Sequence, residues 1–319
     1  MTETPATASA RQTLPAYGFM LLFGVTLFWG ANWPGMKIAL AELPVWWFRT
    51  MSVGAGAFGL LLIAQIGLGS IRLPLKDIPK LVLVSIFAIM GWHVFAAYGV
   101  TLMPAGRASI IAFTMPVWAS LMGSVMLNEP FTRYKVAGLL LGLGGLAVLM
   151  GEDLIVLGTA PIGALFMLGA AVSWGFGTVL FKKFTWTTPV SVLVGWQLFS
   201  AMVPIFIVAL FLEPVPDMTS LSWETIIALA YLFTLPMVFC QWAYFKVVTI
   251  FPAAIAAMGT LAVPIVGVYS SALILGEPVG WQELVSLVLI CGALASVLVI
   301  PSLVRDRQGS AWRWLTDPV

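Results

Sequence analysis

Apolar residues run in long stretches along this chain, and polar residues fall in short groups that punctuate them. Runs such as Leu60-Leu61-Leu62-Ile63 and Leu139-Leu140-Leu141 do not alternate. That argues against barrel strands, which change face at every residue, and for helices apolar all round. A helix needs about 20 mostly apolar residues to cross the hydrocarbon core. Ten such runs are predicted, at 16–40, 44–68, 80–102, 105–127, 134–151, 160–182, 189–212, 224–247, 252–275 and 281–303. Pro44, Asn128-Glu129-Pro130, Gly151-Glu152-Asp153, Pro189, Pro252 and Gly276-Glu277-Pro278 all fall at breaks. The loops are too short for a soluble domain. The expected fold class is all-α and integral to a membrane.

Composition narrows the function. Of 319 residues, 61% are hydrophobic and 9% charged, against about 25% charged in an average soluble domain. Mean hydropathy is +1.04. A net charge of +2 offers no basic face for nucleic acid. Cys240 and Cys291 sit apart in apolar runs and suggest neither a disulfide framework nor a metal cluster. No cofactor or metal is expected; the partners expected are lipid and a small-molecule substrate. Ala39-Leu40-Ala41 mimics a signal-peptide cleavage site, but the apolar stretch before it is too long and Lys37 interrupts it. The first run is therefore expected to stay.

The basic residues set an expected orientation. With a cytoplasmic N-terminus, Arg11, Arg72, Lys76, Lys80, Arg133, Lys135, Lys182, Lys183, Lys246, Arg305, Arg307 and Arg313 all lie inside, twelve of the 15 Lys and Arg. Lys37, Arg49 and Arg107 fall outside, with Glu42, Glu152, Asp153, Glu213, Asp217, Glu224, Glu277 and Glu283. This bias predicts ten spans with both termini cytoplasmic. Residues 1–15 form a polar tail. Residues 304–319, with Trp312, Arg313, Trp314 and Leu315, are expected along the inner interface.

The chain also repeats itself. At an offset of 148, Pro104-Ala105 falls on Pro252-Ala253, Pro116 on Pro264, Asn128-Glu129-Pro130 on Gly276-Glu277-Pro278, and Gly144 on Gly292. At an offset of 145, Trp29-Gly30 falls on Trp174-Gly175 and Lys37 on Lys182. Residues 16–151 and 160–303 thus read as two five-helix repeats. Five is odd, so the second repeat enters from the opposite side. Inverted repeats characterise secondary transporters, because two similar halves of opposite orientation can exchange shapes and so exchange openings. The alternative is a duplication that supplies only a scaffold.

These same motifs carry a resemblance. Trp29-Gly30-Ala31-Asn32 with Trp174-Gly175, the Pro116-to-Glu129-Pro130 and Pro264-to-Glu277-Pro278 intervals, and the glycine-rich fifth helix resemble the EamA family of the drug/metabolite transporter superfamily. The resemblance covers nearly the whole chain. It implies ten helices, a central cavity between the halves, and efflux of small metabolites across the bacterial inner membrane by alternating access. General similarity within the superfamily points to the exporters of aromatic and neutral amino acids. Export of another metabolite or of cationic drugs, or a scaffold or receptor role, are the alternatives. An enzyme is not expected: one histidine, two isolated cysteines and no mid-span carboxylate are poor raw material for catalysis.

Few polar side chains lie deep in the runs, and such groups are candidates for function. His93, the single histidine, falls mid-span, and at the 148 offset its partner is Gln241. Each has a second reading as a polar tie between helices. Asn32 precedes Trp33-Pro34-Gly35, where proline frees a backbone carbonyl. Trp29, Trp92, Trp118, Trp174, Trp242 and Tyr98 are the deep aromatics that suit a cavity for an apolar or aromatic side chain; helix packing is the competing role. Trp46, Trp47, Trp186, Trp223 and Trp281 are expected at the interfaces. Pro116 and Pro264 are matched hinge candidates. Gly138 and Gly142 predict a close helix contact. Glu129 and Glu277 are expected to cap neighbouring helices, and Lys37 and Lys246 to snorkel.

Overall fold

The computed structural model describes residues 16–129, 132–157, 162–251 and 253–300. The two expected tails lie outside them. Every regular element among the described residues is helical: α1 Ala16–Gly30, α2 Asn32–Glu42, α3 Val45–Leu68, α4 Ile78–Ser85, α5 Trp92–Leu102, α6 Ala105–Ala112, α7 Met115–Met126, α8 Arg133–Leu157, α9 Ile162–Lys183, α10 Val190–Leu212, α11 Trp223–Thr234, α12 Cys240–Ile250, α13 Ala253–Leu275 and α14 Trp281–Leu294. A 3-10 turn (Leu75–Asp77) precedes α4. Wide π turns at Ile86–Gly91, Leu235–Phe239 and Ala295–Val299 join α4 to α5, join α11 to α12, and extend α14. Among the described residues, 8 helical stretches are long and apolar enough to cross a membrane.

The first predicted span is in two pieces. α1 ends at Gly30 and α2 starts at Asn32, with Pro34 in its first turn. Proline lacks the N–H that would reach back to the Gly30 carbonyl, and its ring crowds that oxygen, so the helix restarts. The predicted fourth span breaks in the same way. α6 ends at Ala112, and Pro116 lies in the first turn of α7. Pro264, matched to Pro116 in the sequence at an offset of 148, sits inside the unbroken α13.

Polar contacts gather helix ends into two groups, one around Glu42 and the other around Glu129. On the Glu42 face, carboxylates cap helix N-termini across the two halves. Glu277 accepts from the amides of Ala105 (2.7 Å) and Gly106 (2.9 Å) at the start of α6, as the sequence suggested. Glu213 accepts from Trp46 (2.9 Å) and Trp47 (3.2 Å) at the start of α3. Glu42 accepts from the Ser222 amide and hydroxyl and from Thr225 at the start of α11. Negative charge is favoured there because the first amides of a helix have no partner of their own. Arg107 adds an ion pair to Glu283 at 2.6 Å. Lys37 does the converse. Its ammonium donates to the carbonyls of Val100 (2.6 Å) and Met103 (2.8 Å), closing the C-terminal end of α5.

On the other face Glu129 pairs with Lys135 (3.2 Å) and Lys182 rather than capping an amide. Between the faces, α3 lies along α10, α8 along α14, and α5 along α9. Gly138 lets α8 approach α14: a Cβ there would overlap Val297. The small-residue face therefore joins the first half to the second.

Candidate functional site

Two π turns mark the middle of the bundle. In a π turn the chain closes its ring over five residues, leaving backbone groups without their usual helical partner, and such turns recur at functional sites. At the 148-residue offset, Ile86–Gly91 falls on 234–239, so it coincides with Leu235–Phe239. Pro236 explains the second turn, since it cannot donate to the preceding turn. Each π turn has a carbonyl held by the opposite half. Ser173 Oγ on α9 donates to the Phe87 carbonyl at 2.8 Å. The Trp29 indole on α1 donates to the Pro236 carbonyl at 3.2 Å. Trp29 and Trp174 are matched in the sequence at an offset of 145, and Ser173 is next to Trp174.

His93 and Gln241 each stand just after a π turn, as the second residue of the helix that follows it. They differ in surroundings. Gln241 is half-buried, and no hydrogen bond joins it to His93 among the described residues. His93 is buried and accepts at Nδ1 from Arg49 Nη1 at 3.3 Å. A guanidinium can only donate, so the ring is neutral with its proton on Nε2.

Arg49 is the main correction to the sequence reading, which placed it at the membrane surface. It is one turn inside α3 and 3% exposed. Its Nη2 lies 3.3 Å from Met36 Sδ, its Nε is buried without a hydrogen-bond partner, and the guanidinium stands 4.9 Å from the Phe48 ring centroid. Asn32 Nδ2 also donates to Met36 Sδ, at 3.4 Å. Asn32, Met36, Arg49 and His93 thus form one polar cluster from α2, α3 and α5. Sequence reasoning missed Arg49 and Met36. Five residues past Pro44, a charge reads as interfacial, and a methionine reads as filler.

The expected aromatics are half-buried and paired. Trp92 faces Trp174 at 6.4 Å between ring centroids, and Tyr98 stacks on Phe166 at 5.3 Å and accepts from the Trp46 indole at 2.9 Å. Trp29 packs on Tyr244 and Trp242 on Phe239. Trp118 does not join them; its indole donates to Thr114 at the α6–α7 break, 3.1 Å away.

Two cavities open on the Glu42 face. One of about 600 Å³ is bounded by Glu42, Pro44, Pro214, Asp217 and Ser222. One of about 460 Å³ lies among Lys37, Glu42, Ser222, Glu224 and Leu275. Neither is lined by the midplane candidates. No group of His, Cys, Asp and Glu able to hold a metal occurs among the described residues.

Comparison with known proteins supplies the family. The EamA-like transporter family matches residues 16–151 and 161–299, together most of the chain. This chain belongs to the EamA-like transporter family. It is a multi-pass membrane protein of a bacterial transporter family. The "Uncharacterized transporter YvbV" of Bacillus subtilis (strain 168) is 30% identical over 87% of this chain and 90% of its own length. A "Probable amino-acid metabolite efflux pump" of Salmonella typhimurium is 26% identical over 87% of this chain and 93% of its own. A solved crystal structure superposes with a TM-score of 0.63 over 92% of this chain and 99% of its own at 20% identity, a likeness of fold. In this EamA-like transporter, the two π turns are each tied to a helix far away in sequence, through Ser173 and Trp29, and the polar cluster around Arg49 follows the first of them.

Proposed function

We propose that this EamA-like protein is a secondary exporter of small neutral metabolites of the amino-acid class in the bacterial inner membrane. It works by alternating access through a central chamber. In this reading ten spans form two inverted five-helix repeats, 16–151 and 160–303, with both termini cytoplasmic. Pro116 and Pro264 are the hinges. His93, Asn32, Gln241, Trp29, Trp92, Trp174, Trp242 and Tyr98 surround the chamber, and Trp118 acts at the hinge instead.

One observation carries the proposal. The same proline-bearing element takes two shapes, broken between α6 and α7 in one half and continuous through α13 in the other. In a mirrored pair, those two shapes are the two states that alternate, and exchanging them moves the opening from one face to the other. The aromatic pairs favour an apolar or aromatic side chain in the chamber. The printed name of the Salmonella relative points to the same class of cargo. Carboxylates among the described residues stand at helix ends and the histidine is neutral, so the cargo moves down its own gradient, without a carboxylate proton relay.

The test is counterflow in proteoliposomes loaded with unlabelled neutral amino acids. Labelled phenylalanine or leucine is expected to exchange, and a pH gradient is expected to add no accumulation. Absence of exchange for every neutral amino acid would overturn the assignment. Accumulation driven by a pH gradient would overturn the reading of uncoupled transport, and its loss in His93→Ala would place the proton linkage at His93.

A further inference from the structure

Two strong donors converge on one weak acceptor. Asn32 Nδ2 and Arg49 Nη2 both point at the thioether of Met36, at 3.4 and 3.3 Å. A thioether sulfur accepts poorly. On the planar guanidinium, Nε lies on the same edge as Nη2, and this Nε is buried without a partner. The other edge is engaged, because Nη1 donates to His93. No carboxylate forms an ion pair with Arg49 among the described residues. A buried cation served by a sulfur and a neutral imidazole is costly, and a buried unpaired charge marks a place where an anion is wanted.

We propose that the Nε–Nη2 edge of Arg49, with the Asn32 amide, is the recognition site for a substrate carboxylate, and that Met36 is the side chain the carboxylate displaces. The inference rests on the transport reading above and adds what the cargo must carry. A carboxylate matches the guanidinium edge with two parallel N–H···O bonds, which a thioether cannot supply. His93 holds the far edge of the guanidinium and so fixes the plane in which the carboxylate must lie. Met36 is unbranched and swings aside at little cost. Its release frees Asn32, which is the first residue of α2 after the break at Ala31. Cargo binding thereby acts on the broken first span. A single guanidinium beside a neutral ring suits one negative charge and rejects a cationic cargo.

The experiment is competition for phenylalanine counterflow by 3-phenylpropionate, which keeps the carboxylate, and by phenylalaninol, which lacks it. Phenylpropionate should compete, and phenylalaninol should be weaker by about tenfold or more, as for loss of a hydrogen bond to a charged group. Arg49→Gln should abolish that difference and Arg49→Lys should restore part of it. Equal competition in the wild type, or undiminished discrimination in Arg49→Gln, overturns the proposal.

Two further arms keep the outcomes apart. If phenylalanine shows no counterflow, the transport assignment falls. The carboxylate site is then judged by thermal stabilisation of the purified full-length protein with phenylpropionate against its amide. If Arg49→Gln fails to fold, Met36→Leu decides, because it removes the competing acceptor. Several-fold tighter phenylpropionate binding is expected, and unchanged or weaker binding overturns the proposal.

Discussion

The indole N–H of Trp29 donates to the carbonyl of Pro236, 3.2 Å away and 207 residues distant in sequence. It has a mirror in Ser173, whose hydroxyl donates to the Phe87 carbonyl at 2.8 Å. Each half thus supplies a donor to the π turn of the other, and the middle of the bundle is held by reciprocal ties. Removing a donor leaves a carbonyl unpaired in a site with little water. Trp29→Phe and Ser173→Ala are each expected to cost about 1–3 kcal/mol. Thermal unfolding in detergent measures it, and the double variant tests whether the two ties act independently.

Gly177 on α9 lies against the π turn of the first half, and a Cβ there would overlap the Ala88 amide nitrogen. Backbone cannot yield as a flexible side chain can. Gly177→Ala should lower stability by about 1–3 kcal/mol, the usual range for overpacking. Gly67→Ala is the control, because a Cβ there meets nothing within 4 Å. Comparable loss in both variants would refute the close contact.

Glu277 ties the second half to the N-terminus of α6 through two amides, at 2.7 and 2.9 Å. Glu277→Ala removes a capping carboxylate and should cost about 1–2 kcal/mol. Because the tie crosses between halves, the counterflow rate should change as well. An unaltered rate at reduced stability would restrict Glu277 to a structural role.

Glu129 titrates outside the spans. The Lys182 hydrogen bond, helped by Lys135, holds its carboxyl below the ordinary range against a smaller opposing effect of burial. The folded state thus favours the ionised form. Its stabilisation is present above the ordinary carboxylate value of about 4.3 and is lost as pH falls from there through the lowered value. Thermal stability of the wild type should drop across that window. Glu129→Gln should be less stable at neutral pH and flatter with pH.

Pro116 opens α7 after the break, whereas Pro264 is inside α13. Pro116→Ala restores an N–H that can bond to Ala112, so α6 and α7 should tend to join. Counterflow should slow in Pro116→Ala and respond differently in Pro264→Ala. Identical effects on rate would remove the shape difference as the basis of alternation.

Much of the architecture was legible without a structure. Long apolar runs of this chain have no stable home outside a bilayer, since each buried backbone group must pair within its own helix. Prolines mark where that pairing fails, so Pro34 and Pro116 stood out in the sequence, although the spans around them were read as continuous and the structure breaks them near Ala31 and Phe113. Spacing between matched motifs suggested a repeat and paired His93 with Gln241, and each of the two stands just after a π turn. Glu277 was readable as a cap because a carboxylate beside a helix end has few other uses.

Hydropathy reports depth along a helix axis and is silent on which side of the helix a residue takes. Arg49 therefore looked superficial, although Met36 and His93, 13 and 44 residues away in sequence, enclose it. Convergence of Asn32 and Arg49 on one sulfur is a property of two helices packed together, α2 and α3, and no one-dimensional pattern contains it. Likewise, two prolines in equivalent sequence positions gave one break and one unbroken helix. Local chemistry offered both outcomes, and the neighbours packed around each helix selected between them.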